Sequence, residues 1–599
     1  MTDIGFASFL RRRILFLIIV GFSITLIVQL FKMQILDTEL YKEKADENSV
    51  KKTYITAPRG VLFDRNNKLL VSNKPSFIVE ITPSDYSLSN NHTLETILDL
   101  DSGYVDKLLR TNKRYSDYIP RKIFRDAQFN FIAWYEENSE KLPGLNYRVE
   151  LKRDYSMSLS GSHIFGYTKE ITTDLLQKQK DFYELGDYIG FTGLEKYYEK
   201  TLRGEKGYKY ILVDSRQKVI GRYLEGEKDK EPVKGYDLML TIDSDAQLTA
   251  EIAFNGRKGA LVAVEPATGE ILAFVSSPEF DLKDFSSVTS REMITKLNTD
   301  PDNPLFNRAT MSRYPPGSTY KMLCAIAALE EGIIDESFTV NCSGGMQYGD
   351  KYFACTHVHG NVNVVSAIEK SCNTFFYQLI LKVGLEKWSE YSNKFGFGKK
   401  TGVDITEESA GLIPSTKYYN KVYGKGRWTK GFLVSLGIGQ GEIVTSPLQL
   451  AQYTALIANN GRTKTPHFVK AFIKNEEQEV EYLNFDEINV GISQRTLDIV
   501  KEGMFLAVQG SGTATGIRVE GLNISGKTGT AQNPHGDNHS LFVCYAPSEN
   551  PKIAIAVILE NAGYGSTYAA PLAQQVILSY LRKNKTPVEQ SDLITELRR

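Results

Sequence analysis

The chain has little of several features that would point to particular classes of protein. Its formal net charge is only −1 over 599 residues, so it lacks the basic excess that is typical of nucleic-acid binding proteins. It has no clear internal repeat or low-complexity tract, which argues against a solenoid. Five cysteines and seven histidines are too few for a disulfide-dense scaffold. We therefore predict a globular protein with no nucleic-acid partner.

Long uncharged hydrophobic runs are also scarce, with one exception. Residues 14–31, "ILFLIIVGFSITLIVQLF", carry no charge and are just long enough to cross a bilayer as a helix. Arg11, Arg12 and Arg13 directly precede this run, which predicts a cytoplasmic tail over residues 1–13 and an extracytoplasmic remainder. A cleaved signal peptide is the alternative, but the following "QLFKMQILDTEL" offers no small-residue cleavage site. We expect a single-pass anchor in the inner membrane.

Composition divides the rest of the chain near residue 240. Residues 38–240 are rich in tyrosine and charge, which favours an extended module of short strands and helices. Beyond them, "GALVAVEPATGEILAFVSS" predicts a hairpin, "TSPLQLAQYTALIANNG" a capped helix, and "HSLFVCYAP" with "PKIAIAVILE" two late strands. This order predicts an α+β domain with an antiparallel sheet over residues 241–585, followed by a polar tail at 586–599.

A first chemical motif lies in "YPPGSTYKM", which contains Ser318 and Lys321. Two prolines and a glycine break the chain before an apolar helical stretch, so Ser318 is expected at a helix N-terminus with Lys321 one turn later. A lysine whose pKa is lowered by burial can remove the proton from a serine nucleophile. The spacing alone is weak evidence, because Ser49 and Lys52 repeat it.

Two further motifs follow in order. "KSCNTFF" contains Ser371 and Asn373, and "SGKTGTAQ" places Lys527 in a strand-like context ahead of two more strands. A lysine there can present its ammonium to a carboxylate, and Gly529 would let a ligand backbone approach. A second Lys-Thr-Gly at residues 400–402 lies in a turn-rich stretch, so we predict that it has no such role.

These three motifs, in this order and spacing, resemble those of the penicillin-recognising serine acyltransferases. With the anchor and the stretches "APRGVLFDRN" and "GFTGLEKYYEKTLRGEKG", the chain resembles a class B penicillin-binding protein of the elongation type, the penicillin-binding protein 2 group. The resemblance implies the serine transpeptidase fold, an antiparallel sheet flanked by helices plus a helical subdomain. It also implies that residues 38–240 form an elongated pedestal, similar to a dimerisation module, and residues 241–585 the transpeptidase domain.

The implied activity is that of a peptidoglycan D,D-transpeptidase, which crosslinks stem peptides through a serine acyl-enzyme with release of D-alanine. It would act in wall elongation and shape maintenance and be a target of β-lactams. The resemblance implies that Ser318 is the nucleophile and Lys321 its base. Ser371 would relay a proton, and Asn373 would hold the substrate amide. Lys527 and Thr528 would bind the substrate carboxylate, and the backbone N–H groups of Ser318 and Thr530 would form the oxyanion hole.

The resemblance also implies partners, namely a SEDS-family glycosyltransferase and other elongation-complex proteins. Small or polar residues on the membrane helix suit packing against another helix in lipid, and these are Gly21, Ser23, Thr25 and Gln29. A division-type transpeptidase and a weakly active scaffold that only activates a glycosyltransferase are alternative functions. A serine β-lactamase is disfavoured because such enzymes are usually shorter and have no membrane pedestal.

A cluster around "CTHVHG" needs its own explanation. Cys342, Cys355, His359 and Cys372 have the spacing Cys-x12-Cys-x3-His-x12-Cys, and three thiolates with one imidazole suit a closed structural zinc site. Some elongation-type relatives are similar, with a metal ligand at the middle of the Ser-x-Asn motif. His357 could replace His359, and a Cys342–Cys355 disulfide is the alternative to a metal. No metal is expected in the serine chemistry itself.

Overall fold

The computed structural model describes residues 9–37, 49–111, 117–155, 158–179, 182–184, 186–214, 219–286, 289–474, 479–533 and 536–582. The predicted tail at 586–599 and most of the tail at 1–13 lie outside the described residues. The chain forms two compact units. The first consists of Met1–Pro58, Pro75–Glu150 and Glu205–Val233, and the second of Arg59–Lys74, Leu151–Gly204 and Lys234–Arg599.

The N-terminal helix spans Phe9–Phe31 and continues as a π-helical turn over Lys32–Leu36. Within the described residues, the segment Arg13–Leu36 is the one helix long and apolar enough to cross a membrane. The hydroxyl of Thr25 donates to the Gly21 carbonyl at 2.8 Å, so this polar group is satisfied inside its own helix. The predicted span at residues 14–31 therefore lies within a continuous apolar helix.

The first unit is built from short strands and helices. A hydrophobic core that includes Ile81, Leu94 and Phe131 holds it together. Its elements are the three-stranded sheet Val50–Ile55, Gly207–Val213 and Val219–Arg222, residues 75–81 of the strand Leu69–Ile81, its partner strand Arg121–Ala127, residues 145–150 of its other partner strand Leu145–Asp154, and the helices Asn91–Ile97, Tyr104–Thr111 and Phe129–Asn138.

A buried charge network organises the N-terminal segments of the second unit. The Arg59 guanidinium donates to Glu195 at 2.6 Å and to Glu199 at 2.7 Å. Arg153 donates to the other Glu195 oxygen at 2.5 Å, and the Glu195 side chain is completely buried. The stretches "APRG" and "GLEKYYEK" thus meet through paired charges, and a buried carboxylate of this kind is tolerated only while its partners remain.

Smaller elements complete this part of the second unit. They are the strands Leu62–Phe63, Asp237–Leu240, Val469–Lys474 and Glu479–Tyr482, the paired strands Thr168–Glu170 and Tyr188–Gly190, and the helices Ser162–Phe165, Thr173–Lys178, Gly193–Tyr197 and Glu199–Leu202. Asn67, in the turn between the strands Leu62–Phe63 and Leu69–Ile81, has a φ of 64°, a conformation that asparagine tolerates better than most residues.

A five-stranded antiparallel sheet forms the centre of the second unit. In spatial order its strands are Ile271–Ser277, Gly259–Val264, Ile553–Leu559, His539–Ala546 and Ser525–Ala531. The predicted hairpin and both predicted late strands are confirmed. Ser525–Ala531 lies at the edge, so one side of its backbone remains available for hydrogen bonds outside the sheet.

Both faces of this sheet are buried, because alternate residues point to opposite sides. Leu261 packs with helices Ser244–Phe254 and Ala569–Leu581 on one face, whereas Val262 packs with helices of the other face, which include Lys321–Glu330. The result is the expected α+β architecture of helices around an antiparallel sheet.

The predicted capped helix is present at Pro447–Ala458. Ser446 accepts a hydrogen bond from the N–H of Gln449 at 3.3 Å, and the Gln449 side chain accepts one from the N–H of Ser446 at 3.1 Å. This capping box, with proline in the first turn, begins the helix within the predicted stretch.

The remaining helices of this unit include Val364–Glu369, Asn373–Val383, Leu385–Lys394, Thr416–Tyr423, Gly431–Leu436 and Gln494–Gln509. Two small hairpins lie among them. Val340–Cys342 pairs with Gly360–Val362, and Gly345–Tyr348 pairs with Lys351–Ala354, which brings the ends of the "CTHVHG" stretch back towards Cys342.

Candidate functional site

The turn that carries Ser318 precedes the predicted helix. Gly317–Tyr320 forms one 3₁₀ turn, and the α-helix Lys321–Glu330 follows without a break. Gly317 has a φ of 57° and donates its N–H to the Gly439 carbonyl at 2.9 Å, so a glycine is needed at this point. The predicted helix-start position of Ser318 is confirmed, and its side chain is half-buried.

Lys321 is fully buried, and its ammonium is held by the second motif. Its Nζ donates to the Ser371 carbonyl at 2.8 Å and to Asn373 Oδ1 at 2.7 Å, and it lies 3.2 Å from Ser371 Oγ. Burial lowers the pKa of Lys321 to about 7, and negative charge on the nearby Cys355 and Cys372 sulfurs opposes this by favouring the charged form. A lysine with this pKa can act as a base near neutral pH. Among the described residues no hydrogen bond joins it to the Ser318 hydroxyl in this state.

Ser371 occupies a left-handed backbone conformation, with a φ of 57°. It follows the helix Val364–Glu369, where its N–H donates to the Ile368 carbonyl at 3.2 Å and the Cys372 N–H donates to the Ala367 carbonyl at 2.9 Å. This is a Schellman helix end with serine at the position where glycine is usual. The conformation costs about 1–2 kcal/mol, and it turns the hydroxyl towards Lys321.

Asn373 begins the next helix, Asn373–Val383, and directly follows the short link between the two helices, residues 370–372, which we call the Ser371 connection. Its N–H donates to Cys355 Sγ at 3.2 Å, and its Nδ2 lies 3.4 Å from the Ala354 carbonyl oxygen. The side-chain amide is thus fixed between Lys321 and the Gly345–Ala354 hairpin.

The third motif lies on the edge strand Ser525–Ala531. Lys527 is fully buried, and burial followed by the charge of Lys321 lowers its pKa well below the usual value. Thr528 is almost buried and Thr530 half-buried. The strand packs against the Ser318 turn, because a Cβ at Gly317 would come within 3.1 Å of the Thr530 carbonyl oxygen.

Gly529 differs from the sequence interpretation. A Cβ there would lie 2.9 Å from Thr319 Cγ2, so the glycine provides room for the Ser318 turn, whereas we had expected it to provide room for a ligand. The Lys-Thr-Gly at residues 400–402 is a loop whose Thr401 and Gly402 N–H groups point to Glu408, and Lys400 is exposed.

The four predicted metal ligands come together behind the Ser371 connection. Their ligand atoms all lie within 4.8 Å of one another, with His359 Nδ1 at 3.6 Å from Cys342 Sγ and 3.5 Å from Cys355 Sγ. Cys355 Sγ and Cys372 Sγ are 4.0 Å apart. All five cysteines are free thiols, so the alternative Cys342–Cys355 disulfide is absent, and the His357 ring lies outside the cluster.

These donors fit a tetrahedral zinc ion. Zinc bonds of about 2.3 Å to sulfur and 2.0 Å to nitrogen imply about 3.5–3.8 Å between neighbouring ligand atoms. Three of the six separations, at 3.5, 3.6 and 4.0 Å, lie at or near this range, and all six stay within 4.8 Å. Without a cation the thiols compete: the hydrogen bond from Cys372 lowers the pKa of Cys355, and the same contact raises the pKa of Cys372. A divalent cation would stabilise all the thiolates together.

Two family models match this chain. The "Penicillin binding protein transpeptidase domain" matches residues 259–578, which is more than half of the chain, and the "Penicillin-binding Protein dimerisation domain" matches residues 54–240. The chain belongs to the penicillin-binding protein transpeptidase family. Its fold is therefore the mixed α+β penicillin-binding transpeptidase fold that the motifs predicted.

Relatives of this penicillin-binding protein extend over almost its whole length. Peptidoglycan D,D-transpeptidase MrdA of Acinetobacter baumannii is 34% identical, with 94% of this chain and 86% of the relative covered. The MrdA protein of Escherichia coli strain K12 is 30% identical, with 97% of this chain and 95% of the relative covered.

Solved structures are also similar. PBP2 of Helicobacter pylori in complex with MreC has a TM-score of 0.77 at 28% identity and covers 90% of this chain and 100% of its own. PBP2 of Pseudomonas aeruginosa in complex with WCK 5153 has a TM-score of 0.66 at 30% identity and covers 89% of this chain and 97% of its own.

Sequence reasoning about this penicillin-binding protein missed a loop that joins the second and third motifs. In residues 510–513, "GSGT", Ser511 donates its N–H and hydroxyl to Glu369 Oε1 at 2.9 and 3.0 Å. Thr513 Oγ1 lies 2.6 Å from Thr528 Oγ1. Glu369 stands two positions before Ser371, so one buried carboxylate links both motifs through this loop. The only local signal in the sequence was the pair of glycines, Gly510 and Gly512. A Cβ at either position would come within 2.9 Å of an atom of Glu369.

Proposed function

We propose that this penicillin-binding protein is a peptidoglycan D,D-transpeptidase that acts in wall elongation. The observation that carries the proposal is the position of the Lys321 ammonium, which is buried and shared between Ser371 and Asn373 one helical turn from Ser318. The MrdA relatives and the PBP2 structures support the elongation type over the division type and over an inactive scaffold.

The first half-reaction forms an acyl-enzyme at Ser318. Neutral Lys321 removes the hydroxyl proton, the serine oxygen bonds to the carbonyl carbon of the penultimate D-alanine, and the peptide C–N bond breaks. Ser371, whose Oγ lies 3.2 Å from Lys321 Nζ, passes a proton to the leaving D-alanine nitrogen. Asn373 binds the amide of the donor stem.

Binding groups on the edge strand orient the donor. Lys527 and Thr528 bind its terminal carboxylate, whose negative charge also favours the protonated form of the buried Lys527. Thr513 extends this subsite through its contact with Thr528. The N–H groups of Ser318 and Thr530 bind the oxyanion, and losing one such donor typically costs about 3 kcal/mol of transition-state stabilisation.

The second half-reaction transfers the acyl group to an amine of a neighbouring stem. The acceptor nitrogen bonds to the acyl carbon, the ester bond to Ser318 breaks, and the serine oxygen regains its proton. β-Lactams acylate the same serine but leave slowly, because their second fragment remains attached and blocks the acceptor.

The proposed function also implies a domain organisation and a membrane topology for the chain. Residues 38–240 form the pedestal and residues 241–585 the transpeptidase domain, with family matches at 54–240 and 259–578 in support. The N-terminal helix is a single-pass inner-membrane anchor with its N-terminus in the cytoplasm and the catalytic domain in the periplasm. A SEDS-family glycosyltransferase and elongation-complex proteins are the partners, which the H. pylori PBP2–MreC complex and a related peptidoglycan synthase complex support.

Structural zinc is part of the proposal. Cys342, Cys355, His359 and Cys372 would hold it, and the ion would supply a crosslink between the two small hairpins and the Ser371 connection. Four protein ligands leave no open position, so the role is structural. Cys372 N–H and Asn373 N–H are both engaged in this region, and the site would therefore fix the direction of the catalytic Ser371 and Asn373 side chains.

Fluorescent penicillin tests the function on the full-length protein in detergent. We expect covalent labelling with slow release in the wild type and no labelling of Ser318→Ala. Ser49→Ala is the matched control, because Ser49 repeats the Ser-x-x-Lys spacing outside the site, and it should label normally. A penicilloyl adduct on Ser318→Ala, or no labelling of folded wild-type protein, would contradict the proposal.

A further inference from the structure

A strongly cationic surface lies in the second unit, next to the site described above. Between Glu408 and Glu442 the sequence contains no acidic residue, but it contains five cationic residues that we call the basic rim: Lys417, Lys421, Lys425, Arg427 and Lys430. All five side chains are exposed. Within the described part of the chain, none of them forms an ion pair. In a chain of net charge −1 this is a marked local excess of positive charge.

The helix Thr416–Tyr423 keeps two of these charges close together, although their repulsion destabilises the helix. Ser415 caps the helix Thr416–Tyr423 by accepting a hydrogen bond from the Tyr418 N–H at 3.2 Å. Lys417 and Lys421 are one turn apart on the same exposed face of this helix, and like charges at that spacing destabilise a helix. A purely structural helix would be better served by an acidic residue at one of these positions.

Buried aromatic side chains on the inner side of the segment hold the basic rim in place. Tyr419 is fully buried, with its ring 5.2 Å from that of Trp428, and the Trp428 indole donates to Asn420 at 2.9 Å. Tyr419 and Tyr423 both donate their hydroxyls to Glu442 at 2.8 Å. Glu442, the first acidic residue after the rim, therefore accepts hydrogen bonds from two tyrosines. The exposed cations of the rim extend outward from this packed aromatic layer.

The rim continues directly into the wall of the candidate active site. After Lys430 the chain forms the helix Gly431–Leu436 and then the turn whose Gly439 carbonyl accepts from the Gly317 N–H at 2.9 Å. The next residue, Gln440, places its Nε2 3.4 Å from the Thr530 carbonyl oxygen. A polymer bound along the rim would therefore be led towards Ser318.

We propose that the basic rim binds the anionic peptide–glycan polymer that supplies the acceptor stem, through the free carboxylates of its peptides. The inference rests on the proposed transpeptidase function and names a binding surface separate from the Lys527 carboxylate subsite. Each exposed lysine–carboxylate contact is weak in water, but several contacts to one polymer act together. Binding should accordingly weaken as salt screens the charges.

The test uses full-length protein in detergent micelles and two charge-matched variants. The rim variant changes all five basic-rim residues to glutamine. The control variant changes five other exposed lysines of the same unit to glutamine: Lys283, Lys296, Lys399, Lys400 and Lys552. The probes are soluble uncrosslinked glycan strands with pentapeptide stems, the same strands with their carboxylates converted to methyl amides, and vesicles of phosphatidylglycerol and phosphatidylcholine.

We expect the rim variant to bind native strands at least tenfold more weakly than the wild type, and the control variant to stay within about twofold. Wild-type protein should bind the amidated strands as weakly as the rim variant binds native ones. Raising the salt concentration should weaken wild-type binding much more than binding by the rim variant.

Penicillin acylation at Ser318 is measured on the same preparations. Equal strand binding by the rim variant and the wild type would overturn the inference, as would wild-type binding to vesicles but not to strands. The inference would also be contradicted if penicillin acylation of the rim variant fell by the same factor as its strand binding, because the basic rim would then only support the wall of the cleft. Absence of acylation in the wild type would instead refute the proposed function.

Discussion

The Glu369 link between the second and third motifs leads to a sharp prediction. Its Oε1 accepts two hydrogen bonds from Ser511, at 2.9 and 3.0 Å, and its side chain is almost buried. Replacement by alanine leaves both Ser511 donors without their acceptor, whereas replacement by glutamine keeps a neutral acceptor in the same place. The two variants therefore separate the loss of the contact from the loss of the charge.

The magnitudes follow from these contacts. A hydrogen bond to a charged group contributes about 1.5–3 kcal/mol, so we expect Glu369→Ala to lower the free energy of unfolding by about 3 kcal/mol. Glu369→Gln should cost about 1 kcal/mol, since neutral hydrogen bonds replace charged ones. Release of the loop should also remove the 2.6 Å contact between Thr513 and Thr528. Losing about 1 kcal/mol of carboxylate binding lowers the second-order acylation rate about fivefold.

The assay combines urea unfolding with stopped-flow acylation by a penicillin and by its carboxyl methyl ester. If Thr513 supports the carboxylate subsite, Glu369→Ala should slow acylation by the free acid but leave the already slow ester reaction unchanged. Equal slowing of both compounds would refute the reasoning, because the defect would then lie at Ser318 and not at carboxylate binding.

Glu330 offers a matched control. Like Glu369, it accepts hydrogen bonds from the N–H and the hydroxyl of one serine, here Ser493, at 3.2 and 2.6 Å. Unlike those of Glu369, these hydrogen bonds are exposed to solvent. Glu330→Ala should cost less than about 1 kcal/mol and leave acylation unchanged. A Glu330 variant that acylates as slowly as Glu369→Ala would show that the effect is general destabilisation.

Three further predictions concern other parts of the molecule. Because burial lowers the pKa of Lys321 to about 7 and the neutral amine is the base, acylation should rise with pH through about 7 and then level off; a flat profile from pH 5 to 9 would contradict this. Cys372→Ser should lose bound zinc, measured by metal analysis, together with thermal stability and acylation; wild-type protein that is zinc-free and fully active would end the zinc proposal. Glu195→Gln should destabilise the protein by about 3–5 kcal/mol in urea unfolding, since it leaves Arg59 and Arg153 buried without their shared carboxylate, and a change below about 1 kcal/mol would be inconsistent with the network.

Several elements could be predicted because their signals are local. Two apolar runs joined by "EPATGE" predicted the hairpin Gly259–Val264 and Ile271–Ser277, and the serine and proline at the start of Pro447–Ala458 predicted its first turn. The proline–glycine break before Ser318 predicted a helix start for the same reason. Such signals act over a few residues, so no knowledge of distant partners is required.

Other features could not be read from local patterns. Glu369 lies in an ordinary helix end and Thr513 in a glycine-rich stretch, and nothing near either residue indicates that they belong to one link between motifs. Gly529 was interpreted through ligand approach, but the space that it leaves is taken by Thr319. Contacts between residues far apart in the chain depend on packing that no short window contains.

The sequence by itself determined which chemical groups are present and in what order: a serine and lysine one turn apart, a Ser-x-Asn connection, a Lys-Thr-Gly strand, and three cysteines and a histidine at a spacing that suits a metal site, behind one apolar helix. Only the tertiary structure decided how these groups work together. It buries Lys321 and so lowers its pKa to about 7, it places Ser371 in a left-handed conformation with a φ of 57°, and it brings His359, but not His357, together with three of the cysteines. The physical reason is that residue types set the possible bonds, whereas desolvation, backbone strain and ligand distances depend on everything packed around them.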